Sequence, residues 1–381
     1  MTAPTEEERL ARVLLSRLGE PGDPRLTDLV HELGGVRVLS SLREQASDRD
    51  LGADLAERLD AVDPVRELDR AQARGIRFVV PGDQEWPPGL DDLAHAPHLH
   101  ERGGVPVGVW CRGPLRLDQA TEHAVAVVGS RSATSYGADV ARDISATLAG
   151  ASWTVVSGAA FGIDQAAHRG ALSGHGPTIA VLACGVDRAY PAAHRNLIDY
   201  IADVGVVLSE APPGCAPTRI RFLARNRLIA AVARGVVVVE AAVRSGALNT
   251  ASWAGGLGRT VVGVPGPVTS APSAGVHQLI RARDALLVTS GEEVLEAVGP
   301  MGTFALADPR EPEGTRDRLS SRERQVLDAV PLVQAVDSTS IARTAGVAHG
   351  RTKEALLALY RCGLVEHSLG RWRVAADPGP G

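Results

Sequence analysis

The sequence predicts an α/β protein built on a doubly wound, mainly parallel sheet. Three observations carry that prediction. From about residue 65, short runs rich in β-branched residues recur without polar alternation, as expected of strands buried on both faces. Helical stretches alternate with these runs, the pattern of repeated crossover units. Small residues, Gly and Ser above all, follow several of the runs and open the next helix.

Residues 5–60 read as helices. Leu10, Val13, Leu14 and Leu18 repeat at helical spacing, GEPGDP interrupts at 19–24, and Leu26, Leu29, Val30 and Leu33 resume until Gly34-Gly35. Gly75–Val80 is a first short strand, closed by Pro81-Gly82. Further strands are expected at Ala124–Val128, Thr154–Val156, Thr178–Leu182, Val206–Leu208, Val236–Val239 and Thr260–Val264, with helices at 137–149, 163–173, 194–203, 225–233, 247–257 and 275–282. Residues 300–318 carry three prolines and many charges, the composition of a linker. Beyond it, Arg322–Val330, Thr339–Ala345 and Arg351–Arg361 read as short helices, and 363–374 as a hairpin turning near Gly370. That order is the plan of a winged helix. The expected domains are therefore a helical module at 1–62, a sheet domain at 63–299, a linker at 300–318 and a winged helix at 319–375.

Composition narrows the function. The chain has 381 residues, 44% hydrophobic and 22% charged, values ordinary for a folded globular protein. No apolar run is long enough to span a membrane, and the acidic start MTAPTEEERLARVLL is unlike a secretory signal, so a cytoplasmic location is expected. The four cysteines form no CxxC pair and read as reduced thiols. Of the 40 basic residues, Lys353 alone is lysine, and it lies outside any Walker A loop. No GxGxxG occurs either, so neither a P-loop nucleotide nor a dinucleotide cofactor is expected. Charge is uneven: net −8 over 1–110, zero over 111–315 and +3 over 316–381. The acidic helical start favours a structural or docking role there. In the middle of the chain, Arg219-Ile-Arg-Phe-Leu-Ala-Arg225-Asn-Arg227 is one-sidedly basic.

Ligands of doubly wound sheets bind at the carboxyl ends of strands. Those ends read Gly129-Ser130-Arg131, Ser157-Gly158-Ala-Ala-Phe161-Gly162 and Ser245-Gly246-Ala-Leu-Asn-Thr250, each next to a helix start. Glycines, hydroxyls and helix N-termini together suit an anion. The arginine cluster favours a polyanion, and Phe222 within it suits stacking on an exposed base. Asp164 and Glu240 fit either acid–base chemistry or helix capping. His168 lies one turn from Asp164, but no third ligand for a metal is apparent.

These strings resemble the DprA/Smf family of bacterial DNA-processing proteins. The likeness is carried by AVVGSRSATSYG (126–137), VVSGAAFGIDQAAHRGAL (155–172), TIAVLACGVDRAYPAAHRNL (178–197), FLARNRLIAA (222–231), VVVVEAAVRSGALNTASWA (236–254) and VPGPV (264–268). The resemblance implies an extended Rossmann-like fold, flanked by a helical module of the SAM or helix-hairpin-helix kind and a winged helix. It implies a non-catalytic mediator that binds single-stranded DNA, forms a homodimer, and loads the recombinase RecA during natural transformation. By position, Gly129, Ser130 and Arg131 match the phosphate-binding turn, and Ser157, Gly158 and Gly162 the second loop. Phe222, Arg225, Asn226 and Arg227 match the FPxRNR motif, and Ser245, Gly246 and Thr250 the third turn. Gly275, His277, Leu279 and Ile280 match the self-association stretch. Leu223 replaces the motif's proline, which suggests a looser turn, and Arg283-Asp284 replaces the usual Gly-Ala beside the dimer surface. Two other classes compete: a phosphoribohydrolase-type enzyme using the 245–250 turn, and a sequence-specific regulator acting through the winged helix.

Overall fold

The computed structural model describes residues 3–46, 53–304 and 318–375. Residues up to 306 form one compact unit and those from 307 a second. Most of the expected linker, residues 305–317, lies outside the described residues.

The first unit is centred on a nine-stranded sheet. Its strands are β1 (Ile76–Val79), β2 (Val109–Arg112), β3 (Ala124–Val128), β4 (Thr154–Ser157), β5 (Thr178–Val181), β6 (Val206–Ser209), β7 (Gly235–Val238), β8 (Thr260–Gly263) and β9 (Leu286–Leu287). The order across the sheet is β1-β2-β6-β5-β4-β3-β7-β8-β9. Pairing from β6 through β9 is parallel, and β1 and β2 add an antiparallel edge. The chain runs outward from β3 to β6, then crosses back to β7 on the other side of β3. The carboxyl ends of β3 and β7 thus flank the topological switch point, where such sheets open a crevice.

β3 shows why the strands lack alternation. Ala124, Ala126 and Val128 enter one core, with Val236, Val238 and Leu228. Val125 and Val127 enter the other, with Ile144, Ile163 and Val237. Neither face meets water, so both carry apolar residues.

Five N-terminal helices, α1 (Glu6–Leu18), α2 (Pro24–Leu33), α3 (Gly35–Ala46), α4 (Ala53–Asp60) and α5 (Pro64–Gln72), precede the sheet. They pack directly on it. Val13 shares a core with Ile76, Phe78 and Trp110, and Leu15, Val30 and Val38 share another with Val107. Polar contacts reinforce the packing: Arg9 pairs with Asp83 just after β1, and Arg17, paired with Glu67 of α5, also donates to the Pro213 carbonyl beyond β6. No break in packing falls at residue 62.

The remaining helices of this unit are α6 (Leu117–Glu122), α7 (Ser135–Gly150), α8 (Ile163–Ser173), α9 (Arg195–Val204), α10 (Arg219–Ala231), α11 (Gly246–Gly256), α12 (Ala274–Ala282) and α13 (Gly291–Val298). α10 starts six residues earlier than expected, at Arg219, capped by Thr218, whose hydroxyl accepts the Arg221 N–H. Leu223 therefore lies inside a regular helix, and no loosened turn results. Among the described residues no helix is long and apolar enough to cross a membrane. Cys111, Cys184, Cys215 and Cys362 are free thiols.

The second unit contains α14 (Ser321–Asp328), β10 (Val336–Asp337), α15 (Ser338–Ala345), α16 (His349–Arg361), β11 (Val365–Ser368) and β12 (Arg371–Val374). Its antiparallel sheet runs β10-β12-β11. α14 opens with a capping box, Ser320 with Glu323. Gly346 ends α15 in the left-handed conformation at φ 64°, and Leu356, Leu359 and Trp372 fill the core. The three helices and the hairpin come in the order expected, with an unexpected short strand, β10, between α14 and α15.

Candidate nucleic-acid interface

A cleft of about 700 Å³ opens at the switch point. Val128–Ser132 form one wall after β3, and Ala242–Thr250 another after β7. Ala160 and Asp164 come from the loop after β4 and the start of α8, Tyr190 from the loop after β5, and Pro217–Ile229 from α10 and its approach. Nine of the expected residues meet here: Gly129, Ser130, Arg131, Phe222, Arg225, Asn226, Ser245, Gly246 and Thr250.

The four arginines of the basic cluster have separate fates. Arg219 is exposed and lines the cleft. Arg221 turns to the N-terminal helices, with Nε and Nη2 donating to Glu20 at 2.9 and 2.8 Å. Arg225 lines the cleft although only 6% exposed; its Nη1 donates to the Val181 carbonyl at 2.8 Å, and its buried Nε has no partner. Arg227 corrects the sequence expectation. It is fully buried, absent from the cleft, and held by two bonds of 2.8 and 2.7 Å to Glu210, with its Nε donating to Gly103 O. Helical spacing turns Arg225 and Arg227, two apart, to different sides, whereas Arg221 and Arg225, one turn apart, are separated by their partners, Glu20 and the Val181 carbonyl.

The second expected loop also departs from its assigned role. Ser157 is buried, donating to Val127 O at 2.7 Å. A Cβ on Gly158 would lie 1.7 Å from Arg225 Nη1, so Gly158 makes room for that guanidinium. Gly162, at φ 78°, packs on the Ser130 carbonyl, where a Cβ would come within 2.2 Å. None of the three lines the cleft. Gly129 is likewise pressed against Ile163 and the Glu240 carbonyl, whereas Gly246 faces open space. We therefore expect Gly158→Ala to push the Arg225 guanidinium aside and lower DNA affinity about tenfold, the worth of one charged hydrogen bond. Unchanged affinity in a binding titration would show that Arg225's placement is unimportant.

Glu240 is a structural residue. It is 2% exposed; its carboxylate accepts the Thr134 N–H at 3.0 Å and the Thr134 hydroxyl at 2.5 Å, anchoring the start of α7. Its carbonyl accepts the Ser130 N–H at 2.7 Å, so that amide is already used. Asn226 braces α10 to α11 through Gly246 O and Asn249. What the cleft presents is thus mainly charge, namely Arg131, Arg219 and Arg225, together with the N-terminal ends of α10 and α11.

Asp164 is the acidic side chain of the lining. Burial raises its pKa, which Arg225 and the Ala160 N–H partly oppose. Burial likewise lowers that of Arg225, against the attraction of Asp164 and with the repulsion of Arg131. His168, weighed with Asp164 as a pair of metal ligands, sits in the core. Its Nδ1 pairs with Thr178 Oγ1 at 2.8 Å, and burial depresses its pKa to about 3. Among the described residues no group of three His, Cys, Asp or Glu side chains is placed to hold a metal.

The sign of the His168 effect is definite. The unfolded chain takes up this proton near pH 6.5, the folded chain near 3. Its stabilising contribution is complete above 6.5 and is lost as pH falls through that window. His168→Asn, which keeps a donor toward Thr178, should flatten the acid limb of the urea-midpoint profile. An unchanged limb would assign acid sensitivity elsewhere.

α12 carries the expected association residues. His277 Nε2 contacts the Gly266 carbonyl at 3.1 Å, and Leu279 and Ile280 are partly buried against the unit's own core. Gly275 packs on the carbonyls of Ala241 and Ala242. Arg283 ends the helix at φ 65° where glycine would be unstrained.

The sequence model of the DNA recombination-mediator protein A family matches residues 77–299. The chain belongs to this family. Among its mediator relatives, the DNA processing protein DprA of Mycobacterium tuberculosis is 44% identical over 362 residues, 94% of this chain and 92% of that protein. The DprA of Streptococcus pneumoniae is 44% identical over 197 residues, covering 52% of this chain and 68% of that one. The X-ray structure of the S. pneumoniae mediator superposes with a TM-score of 0.63 at 33% identity, over 79% of this chain and 100% of that one. A DprA structure from Helicobacter pylori, described for its single-stranded DNA binding mode, gives 0.50 at 26% identity, over 58% and 94%. The likeness to these solved structures extends to the mixed α/β fold built on the mostly parallel sheet.

Proposed function

We propose that the cleft binds single-stranded DNA, and that the protein is a non-catalytic mediator which protects incoming strands and loads RecA on them during natural transformation. One observation carries the binding site: three guanidiniums from two segments, Arg131 after β3 and Arg219 and Arg225 on α10, converge with two helix N-termini in one concavity. Phosphates attract such groups without regard to sequence. The single-strand binding described for the H. pylori relative supports the choice of ligand. Self-association through His277, Leu279 and Ile280, and the reading of the second unit as a winged helix, belong to the same proposal.

The enzyme alternative is less well supported. Glu240 is committed to Thr134, and the 245–250 turn is not followed by the acid a phosphoribohydrolase loop carries. Titration of single-stranded and duplex oligonucleotides at two salt concentrations tests the proposal. Single strands should bind more tightly, and the preference should survive deletion of residues 318–381. Equal binding of duplex, or release of free base from nucleoside monophosphates, would contradict it.

A further inference from the structure

We propose that Tyr190 is a base-stacking residue of the cleft, with Phe222 acting as the brace beneath it and beneath Arg131. This rests on reading the cleft as a site for an unpaired strand. Two aromatic rings line the cleft, and they differ in access. Phe222 is half-buried; the Arg131 guanidinium lies over its ring, 4.7 Å from the centroid, and that of Arg225 is 5.9 Å away. A base reaching that face would have to displace Arg131. Tyr190 is 44% exposed. Its ring centroid is 5.6 Å from that of Phe222, with the planes tilted by 53°. A base sandwiched between two rings needs near-parallel planes about 7 Å apart, twice a carbon–carbon contact. The two rings therefore do not form a slot, and the accessible surface is the solvent side of Tyr190.

Two other exposed aromatics are differently engaged: Tyr136, whose hydroxyl donates to the Pro265 carbonyl and which is absent from the cleft lining, and Phe161. Phe161 packs edge-on to His194 at 4.5 Å and is absent from the cleft lining. Tyr190 comes from the loop after β5 and lines the same cleft as the turn at 245–250 that follows β7. A strand whose phosphates meet Arg131, Arg219 and Arg225 would pass it. Any base offers a π-face, so this contact adds affinity without sequence preference.

The test uses the full chain with two oligonucleotides of equal length, oligo-dT and the same backbone with abasic residues. Tyr190→Ala should bind oligo-dT about tenfold more weakly and the abasic strand as tightly as the parent protein. Tyr190→Phe should restore oligo-dT binding. Equal weakening on both strands, or no weakening on oligo-dT, overturns the inference. Should Tyr190→Ala fail to fold, Tyr190→Trp supplies a second readout: oligo-dT should quench its emission and the abasic strand should not. Emission unchanged by bound oligo-dT also overturns it. If the parent protein binds neither strand, the single-strand function itself fails, a result distinct from those above.

Discussion

Arg131→Ala combined with Arg225→Met lowers affinity for single-stranded DNA by roughly a hundredfold or more, at about 1.5–3 kcal/mol per charged hydrogen bond removed. Native stability should not fall with it. Arg225 is a buried cation that makes no salt bridge among the described residues, its Nε is unpartnered, and its pKa is driven down by burial. Folding gains little from such a group, since a buried unpaired charge is costly. A methionine of similar length should leave the urea midpoint equal or higher. Loss of binding with retained stability would mark Arg225 as kept for its ligand. A lower midpoint with intact binding would assign it to the fold.

Arg227→Met should do the reverse. Arg227 and Glu210 form a pair 0% and 6% exposed. Glu210 also accepts the Gly22 N–H at 3.2 Å, so the pair ties α10 to the turn between α1 and α2. Removing one partner of a buried pair strands the other, at a cost of about 3–5 kcal/mol. For a unit of this size we expect the melting midpoint to fall by about 5–8 °C. Binding by the folded protein, measured well below that midpoint, should be nearly unchanged. Abolished binding at an unchanged midpoint would return Arg227 to the cleft.

These two arginines show where sequence reading succeeds and stops. The strands of the parallel core were legible because their runs are β-branched and buried on both faces, and β3 was placed to the residue. β9 was not, since two residues carry no periodicity. The start of α10 was missed for a related reason. Residues 224–231 are buried on every side, so the helix has no polar stripe to reveal its period. Arg219 and Arg221 then fall outside the expected helix at 225–233, and the four arginines read as one basic cluster. Which of them face a ligand depends on Glu20 and Glu210, brought there only by the tertiary fold. Tyr190 was present in a recognised string, but its exposure beside Phe222 depends on how the β5 loop meets α10.

The central claim is that Arg131 and Arg225 neutralise strand phosphates in the cleft. Its most direct test is the salt dependence of single-strand affinity in the parent protein and in the Arg131→Ala/Arg225→Met variant. Each phosphate contact contributes about −0.7 to the log–log slope. The account predicts a slope shallower by about 1.4 in the variant. An unchanged slope, whatever happens to the affinity, would contradict it.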